Sequence, residues 1–219
     1  MNKVIIFSAH PDDELLGVGG TLIKHVQNND EVSVVLFTDY ASSRTTSKIK
    51  TKKQLTNDKK KFSKYFKLKN IFNLGLEDQK FETYPLLEIT KKIEEIRDKI
   101  KPNIIYSHHF SDLNRDHRIV TESVLVAFRP LQKKYKIILY ETPSSTEYNY
   151  KDSFNPNYYT DIKKTINKKI NGLYKFYNLE MRDKKHPRSK NYIKSLAIKR
   201  GGECGLEFAE AFYILRDYF

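Results

Sequence analysis

Cysteine is almost absent from this chain, since Cys204 is the single thiol in 219 residues. One thiol can build neither a disulfide framework nor a metal site made of several thiolates. Cys204 lies between Glu203 and Gly205 in a stretch with no helix pattern of its own to activate it, and we interpret it as a structural residue. The lack of disulfides makes a cytoplasmic location the expectation.

Long apolar runs are missing at the N-terminus as well. Four apolar residues, Val4 to Phe7, precede the polar Ser8, which is too short for a signal-peptide core or a membrane span. We therefore expect a soluble protein without a transmembrane segment. With 39% hydrophobic residues, no internal repeat and no low-complexity linker, residues 1–219 are expected to form a single domain with a C-terminal elaboration from about residue 143.

Acidic residues are in deficit, because 40 lysines and arginines face 27 aspartates and glutamates and leave a net charge of +13. The densest basic run, Lys48 to Lys69, contains ten lysines and one acidic residue, Asp58. Apolar residues are interleaved in it as one side of a helix. The run is interpreted either as a solvated helix face or as an electrostatic funnel for an anionic substrate. No specific nucleic-acid partner is expected.

The stretch Ser8 to Glu14 joins a predicted strand to a predicted helix. Val4 to Phe7 is typical of a strand buried on both faces, and the spacing of apolar residues from Leu15 to Val26 predicts a helix. The turn between them contains one histidine and three acidic residues: His10, Asp12, Asp13 and Glu14. In a parallel sheet this turn lies at the carboxyl edge, where ligands bind.

Crowded carboxylates repel one another unless a cation or protons intervene. Histidine and aspartate together are suitable ligands for zinc, although acidic residues in the first turn also simply complement a helix dipole. The turn is not a dinucleotide-binding motif, because Gly17, Gly19 and Gly20 come after it and its carboxylates would repel a pyrophosphate. Those glycines are expected to let the helix pack closely on the sheet.

Strands and helices alternate along the chain, which predicts an α/β fold with a mostly parallel sheet flanked by helices. Further strands are predicted at 32–37, 70–74, 103–106, 136–140 and 207–215, and further helices over the basic run, at 84–100, from about 117 to 128, and at 166–177. Arg200 to Gly202 is predicted to be the turn before the last strand.

A second polar cluster, Ser107 to Arg118, follows the predicted strand at 103–106. His117 stands where the helical pattern begins, so its side chain is available to the same sheet edge. A zinc site of His10, Asp13 and His117 would draw its ligands from two strand-to-helix turns. Asp116 is expected either to orient an imidazole or to bind the helix N-terminus.

Several other residues are candidates for substrate binding. Arg44 lies in a small polar loop after the second strand and is interpreted either as an anion-binding residue or as a plain surface arginine. The remaining candidates are Arg118, Glu147, His186 and Arg188. A fixed guanidinium such as that of Arg188 can hold a carboxylate or phosphate in two places.

The segment from Ala9 to Glu14 (Ala-His-Pro-Asp-Asp-Glu) and the segment from Asp116 to Arg118 (Asp-His-Arg) together resemble the LmbE/PIG-L family of zinc-dependent N-deacetylases. The resemblance extends over most of the chain. Segments 78–81, 85–87, 143–147 and 186–189 are similar to a bacterial branch of the family. Family members have a Rossmann-like fold and remove acyl groups, usually acetyl, from amino sugars and related amines.

The resemblance implies that His10, Asp13 and His117 bind Zn²⁺, or another divalent metal, and that Asp12 is the general base. Many members have an oxyanion-binding histidine three residues before the last ligand, where this chain has Asn114. An asparagine amide can donate to an oxyanion but cannot exchange protons. The other candidates for that role are His186 and the pair His108 and His109.

The sequence thus predicts a zinc-dependent hydrolase that removes an N-acyl group, expected to be acetyl, from an amino sugar that is free or linked to a nucleotide or lipid. Two alternatives stay open: a zinc amidohydrolase acting on an acylated amino acid or thiol conjugate, and a non-catalytic domain that binds carbohydrate or nucleic acid. The sequence leaves the oligomeric state open.

Overall fold

A computed structural model describes residues 1–39, 52–131, 133–183 and 185–218 of the chain, with the side chains of residues 52–56 excepted. Arg44 lies outside the described residues, and so does the loop that contains it.

The described residues form strands and helices in alternation over the first two thirds of the chain. The strands are β1 (Lys3–Ser8), β2 (Glu31–Leu36), β3 (Asn70–Asn73), β4 (Ile104–His108), β5 (Lys136–Tyr140), β6 (Tyr158–Asp161) and β7 (Ala209–Arg216). The helices are α1 (Asp13–Gln27), α2 (Lys52–Phe66), α3 (Leu86–Ile100), α4 (Arg115–Ala127), α5 (Ile166–Phe176) and α6 (Lys190–Gly202). Two short 3₁₀ helices, Phe81–Thr83 and Thr146–Tyr148, lie in the connections.

All seven strands belong to one sheet in the order β3-β2-β1-β4-β5-β7-β6. The first five in this order are parallel, with β1 paired to β2 from Lys3 opposite Glu31 to Ser8 opposite Leu36. β7 runs antiparallel to both β5 and β6. The predicted α/β fold with a mostly parallel sheet is confirmed.

Alternate residues of the central strand point to opposite faces of the sheet and enter different cores. Val4 and Ile6 pack with apolar residues of α1, α2, α5 and α6, whereas Ile5 and Phe7 pack with those of α3 and α4. Burial on both faces explains why β1 has a continuous apolar sequence. The result is a three-layer arrangement in which the strand ends are left free to carry polar groups.

Glycines in α1 allow this helix to lie close to its neighbours, as the sequence predicted. A Cβ atom on Gly17 would lie 2.2 Å from the ring of Tyr140, and one on Gly20 would lie 2.6 Å from Ile162. Both contacts are shorter than van der Waals packing permits. The beginning of α1, and with it the turn that precedes it, is therefore held close against β5.

The last third of the chain differs in part from prediction. The predicted turn at Arg200–Gly202 is wrong, because these residues form the final turn of α6, and neither α6 nor β6 was predicted. The division into a single domain with an elaboration from about residue 143 stays a prediction. No helix in the described part of the chain is long and apolar enough to cross a membrane.

Candidate active site

The carboxyl ends of β1 and β4 lie side by side near the centre of the sheet. β1 ends at Ser8 and α1 begins at Asp13, while β4 ends at His108 and α4 begins at Arg115. From β1 the sheet continues to β2 on one side and to β4 on the other, so the strand order reverses between β1 and β4. A reversal of this kind opens a crevice at the carboxyl edge of a parallel sheet. Both polar clusters of the sequence lie at this crevice.

Three side-chain atoms from the two turns form a compact triangle. Nδ1 of His10 lies 3.2 Å from Nε2 of His117 and 3.4 Å from Oδ2 of Asp13. Nε2 of His117 lies 3.3 Å from the same oxygen of Asp13. The structure thus brings together the three residues that the sequence singled out as metal ligands.

The triangle matches the requirements of a zinc ion. Ligands bonded tetrahedrally at about 2.0–2.1 Å lie about 3.3 Å from one another, close to the observed spacing of His10, Asp13 and His117. The other carboxylate oxygen of Asp13, Oδ1, is buried without a hydrogen-bond partner among the described residues. Two imidazoles and one carboxylate are also a ligand set that zinc accepts in catalytic sites.

Carboxylates stand behind both histidines. Nε2 of His10 lies 3.0 Å from Oδ2 of Asp116 and 3.1 Å from Oδ1 of Asp78. Nδ1 of His117 lies 3.2 Å from Oδ2 of Asp112, although its alignment is poor for a hydrogen bond. A carboxylate on the far nitrogen of a histidine places the proton there and leaves the near nitrogen free to bind a metal. Asp116 therefore lies where it can orient an imidazole, the first of the two roles predicted for it.

Asp116 also fixes the segment that follows β3 and leads into the first 3₁₀ helix. Its two carboxylate oxygens accept hydrogen bonds from the backbone N–H groups of Gln79 (2.8 Å) and Phe81 (3.2 Å). The ring of Phe81 in turn stacks on that of His10, with centroids 6.0 Å apart. These contacts place Asp78 beside His10, which the sequence did not predict.

The electrostatics of the triangle favour a cation. Burial disfavours the charged imidazolium of His10, but Asp116, Asp13 and Asp78 outweigh it and raise the pKa of His10 well above its ordinary value. Burial opposes the charge of His117 in the same way, and Asp112 and Asp13 nevertheless raise its pKa to about 9. The carboxylates therefore impose a negative potential on the crevice, which protons or a metal ion would balance.

Asp12 lies next to the triangle but not in it. Its backbone has φ 121°, a conformation that residues other than glycine rarely adopt. Its carboxylate is buried. Burial raises the pKa of Asp12 to about 8, although the positive charge of Arg188 opposes this shift. Such strain is found where neighbouring structure holds a functional residue in one position.

Arg188 reaches Asp12 from the other end of the chain. One of its terminal nitrogens, Nη1, donates to Oδ2 of Asp12 at 2.8 Å and lies 3.5 Å from Glu180, while its Nε donates to the hydroxyl of Ser144 at 2.7 Å. The sequence predicted a substrate-binding role for Arg188 but not its contact with the predicted base. A contact between residues 176 positions apart leaves no local signal in the sequence.

Glu14 lies in the first turn of α1, and its side chain is fully buried. Its two oxygens accept hydrogen bonds from the hydroxyls of Tyr177 (2.7 Å) and Ser8 (3.2 Å), and Oε2 also accepts from the backbone N–H of Asp12 (3.2 Å). Burial raises the pKa of Glu14 to about 7. Glu14 thus ties the active-site turn to the residue that follows α5.

Asn114 and Arg118 lie at the beginning of α4. Asn114 is its N-cap, and Oδ1 of Asn114 accepts a hydrogen bond from the backbone N–H of Asp116 at 2.9 Å. The guanidinium of Arg118 donates to the backbone carbonyls of Asp112 (2.7 Å) and Leu113 (2.6 Å). Both residues thus stabilise the loop that presents His117.

Glu147 and His186 form local contacts in two other loops. The carboxylate of Glu147 accepts hydrogen bonds from the backbone N–H groups of Ser144 (2.8 Å) and Ser145 (3.0 Å). Nδ1 of His186 accepts one from the backbone N–H of Arg188 at 3.0 Å. These bonds shape the two loops that meet where Arg188 contacts Ser144.

His108 and His109 are buried within the fold. Nε2 of His108 accepts a hydrogen bond from the backbone N–H of Ala9 at 3.0 Å, and its ring stacks on that of His117 with centroids 3.9 Å apart. Burial holds the pKa of His108 well below its ordinary value. Burial also lowers the pKa of His109, to about 4, and its Nδ1 lies 2.6 Å from the hydroxyl of Ser111. His108 therefore packs behind a candidate ligand as a neutral imidazole.

Known structures share this fold over nearly the whole chain. A conserved protein from Thermus thermophilus matches with a TM-score of 0.78 and 18% identity, covering 100% of this chain and 97% of its own. N,N'-diacetylchitobiose deacetylase from Pyrococcus horikoshii matches with a TM-score of 0.74 and 21% identity, and the match covers 98% of this chain and 84% of the deacetylase. The 4-carboxy-2-hydroxymuconate hydratase GalB from Pseudomonas putida matches with a TM-score of 0.77 and 15% identity, covering 100% and 98%.

These identities show a common fold, and the last two of these proteins are named for different reactions. The sequence itself gives the closer assignment. The protein-family model described as PIG-L, GlcNAc-PI de-N-acetylase, matches residues 5–128, which is more than half of the chain and spans both polar clusters of the crevice. The chain therefore belongs to the PIG-L (LmbE-like) family, as the motifs that follow β1 and β4 predicted.

Proposed function

We propose that this protein is a zinc-dependent hydrolase that removes an N-acetyl group from an amino sugar. The observation that carries the proposal is the triangle of His10, Asp13 and His117 with a separate buried carboxylate, Asp12, beside it. Membership of a family described as a de-N-acetylase and the fold shared with a diacetylchitobiose deacetylase support the same reaction.

His10, Asp13 and His117 would hold the zinc ion, which when bound would act as a Lewis acid on the amide carbonyl and on water. Asp12 takes a proton from the water that attacks the carbonyl carbon. It then delivers that proton to the nitrogen as the C–N bond breaks, so that acetate and a free amine leave. Arg188 holds the carboxylate of Asp12 in place through its 2.8 Å hydrogen bond.

The developing oxyanion needs a hydrogen-bond donor. Oδ1 of Asn114 is engaged by the backbone N–H of Asp116, so Nδ2 is the end of the amide that is left to donate. Asn114 is the residue we assign to this role, in the position where many family members have a histidine. His108 is less suited to it, because the backbone N–H of Ala9 and the hydroxyl of Tyr140 both approach its Nε2.

The proposal is tested by measuring the metal content of the purified protein together with acetate release from a panel of N-acetyl sugars, acylated amino acids and acylated thiol conjugates. We expect about one zinc per chain, and acetate from sugars in preference to the other two classes. Asp12→Asn should retain zinc and lower kcat about 10²- to 10⁴-fold. Asp13→Asn should lose both the bound zinc and the acetate-releasing activity.

Asp98→Asn is the matched control, because Asp98 is exposed on α3 and its carboxylate pairs with Arg97, away from the crevice. It should behave as the wild type. A protein that binds no zinc, or that remains inactive after zinc is restored, would refute the proposal. Unchanged activity in Asp12→Asn would show that another residue is the general base.

A further inference from the structure

A second pocket lies at the other end of α1 from the active-site crevice, and we call it the His25 pocket. The second half of α1, the first residues of β4 and β5, and strand β6 surround a volume of about 210 Å³. His25 is about 18 Å from Asp13 along the axis of α1, at about 1.5 Å per residue. The His25 pocket is therefore separate from the crevice that contains the metal triangle.

Asp30 determines which hydrogen-bonding groups this pocket offers. Nδ1 of His25 lies 2.7 Å from Oδ2 of Asp30, and Nε2 of His25 lies 2.9 Å from the hydroxyl of Tyr106. Because an ionised carboxylate only accepts hydrogen bonds, the proton of the neutral imidazole is on Nδ1, and Nε2 accepts from the hydroxyl of Tyr106. Tyr106 lines the pocket, and its oxygen keeps a lone pair for a ligand group that donates.

The hydroxyl of Thr21 is the second polar group of the pocket. Four buried side-chain atoms have no hydrogen-bond partner within the described part of the chain, and two of them, on Asp13 and His117, belong to the metal triangle. The hydroxyl of Thr21 is a third, and Thr21 lines the His25 pocket. Its backbone is held in place, because its N–H donates to Glu210 at 2.7 Å. A hydroxyl buried without a partner lowers stability, and a ligand that pairs with it would remove this cost.

The charges around the pocket offset one another. Nζ of Lys24 donates to the backbone carbonyl of Asp161 at 3.2 Å, and Nζ of Lys136 pairs with Asp217 at 2.6 Å. Lys24, Lys136 and Asp161 all line the pocket. Two ammonium groups are thus accompanied by two carboxylates, which favours a neutral ligand over an anion.

We propose that the His25 pocket binds a small neutral molecule that carries several hydroxyl groups, such as a single monosaccharide. A hydroxyl both donates and accepts, so neighbouring hydroxyls of one ligand can pair with Tyr106 and with Thr21. The side chain of Tyr158, which also lines the pocket, is 37% exposed and provides an apolar surface for the C–H groups of a sugar. The volume is below the roughly 300 Å³ of the smallest drug-sized sites, which limits the ligand to about one ring.

Titration of the full chain with D-glucose, D-galactose and myo-inositol, followed in ¹H–¹⁵N correlation spectra, tests the proposal. None of the three compounds carries an N-acyl group, so the readout does not depend on the deacetylase reaction. We expect at least one of them to shift the amide signals of Thr21, His25 and Tyr158 in a saturable way. The absence of a saturable shift with all three, or shifts confined to residues of the crevice, would overturn the proposal.

Thr21→Val removes the hydroxyl and keeps the shape of the side chain. It should raise the Kd of the bound compound about tenfold, while the Tm of the free protein stays the same or rises. Tyr106→Phe removes the acceptor and should weaken binding by a similar factor. Ser123→Ala is the matched control, because the hydroxyl of Ser123 is also buried without a partner among the described residues, but Ser123 does not line the His25 pocket. It should keep the Kd of the wild type, whereas an unchanged Kd in Thr21→Val would contradict the inference.

Discussion

Asp12 and Asp13 are neighbours in sequence, yet their carboxyl groups have opposite electrostatic surroundings. Burial raises the pKa of Asp12 to about 8 against the effect of Arg188. Burial acts in the same direction on Asp13, but His117 and His10 outweigh it and hold the pKa of Asp13 well below its ordinary value. The positive φ of Asp12 directs the two side chains to different partners. One carboxylate is thereby suited to bind a cation and the other to exchange protons.

Replacing Asp116 by asparagine should weaken metal binding without removing a ligand. The asparagine can no longer stabilise the His10 tautomer that leaves Nδ1 free, so zinc affinity should fall about 10- to 100-fold. Competition with a chromogenic chelator measures this change. The exposed Asp98→Asn serves again as control, and an unaltered affinity in Asp116→Asn would show that Asp78 alone orients His10.

At the scale of elements, the close packing of α1 makes Gly17 sensitive to any side chain. Gly17→Ala places a methyl group 2.2 Å from the ring of Tyr140, which must move. Overpacking of this kind should lower the free energy of unfolding by about 1–3 kcal/mol, although alanine is the better helix former. Urea denaturation followed by circular dichroism measures the effect.

Gly202 at the end of α6 is a matched control, since beyond its neighbours and the backbone of its own helix no atom lies within 4 Å of a Cβ added there. Gly202→Ala should leave stability unchanged or raise it by up to about 1 kcal/mol. If Gly17→Ala and Gly202→Ala were equally stable, the close packing of α1 on β5 would not depend on a glycine at position 17.

Asp30 joins α1, β2 and the N-terminus, because its carboxylate accepts hydrogen bonds from the backbone N–H of Asn2 at 2.7 Å and lies 2.7 Å from Nδ1 of His25. Burial raises the pKa of Asp30, but the bonds to His25 and Asn2 outweigh it and lower the pKa below its ordinary value. A lowered pKa in the folded state means that the stabilisation is present above about pH 4 and is lost as the pH falls through the folded value.

Because solvent screens this partly exposed carboxylate, Asp30→Asn should lower the free energy of unfolding by about 1 kcal/mol at pH 7. Urea denaturation of the wild type and Asp30→Asn should show a smaller difference in the free energy of unfolding near pH 3 than at pH 7. A difference that stays constant with pH would mean that the charge of Asp30 does not contribute.

Helix α6 shows why one element escaped prediction. Its buried residues are Ile193, Ala197, Arg200 and Gly201, of which two are small and one is charged. Apolar periodicity is the main helix signal in a sequence, and this set scarcely provides it. Ser189 was the available clue, because its hydroxyl caps the helix by accepting from the backbone N–H of Tyr192.

At the scale of the whole molecule, a buried ion pair joins the last third of the chain to the part that matches the family. Nζ of Lys169 in α5 donates to Glu210 in β7 at 2.7 Å and to the carbonyl of Leu16 in α1 at 2.8 Å. Glu210 in turn accepts from the backbone N–H groups of Gly20 and Thr21, each at 2.7 Å. The region beyond residue 143 is thus bonded directly to the helix that begins at the active site.

Lys169→Met should destabilise the protein by about 3 kcal/mol, because it leaves the carboxylate of Glu210 buried without its cation. The double variant Lys169→Met/Glu210→Gln should regain part of this loss, since a neutral amide oxygen can still accept from α1. Urea denaturation of the two variants and the wild type tests both statements. A double variant less stable than Lys169→Met would indicate that the carboxylate is required for its backbone contacts.

The sequence alone determined the features that depend on neighbouring residues. Apolar runs and helical spacing located the first five strands. The polar residues that follow β1 and β4 indicated that His10, Asp13 and His117 lie close together, because parallel strands bring their carboxyl ends to one edge. Only the tertiary structure decided which nitrogen of each histidine faces the triangle, that Asp112 and Asp78 stand behind these rings, and that Arg188 contacts Asp12. These contacts join distant parts of the chain, and their geometry arises from the packing of the helices on the sheet.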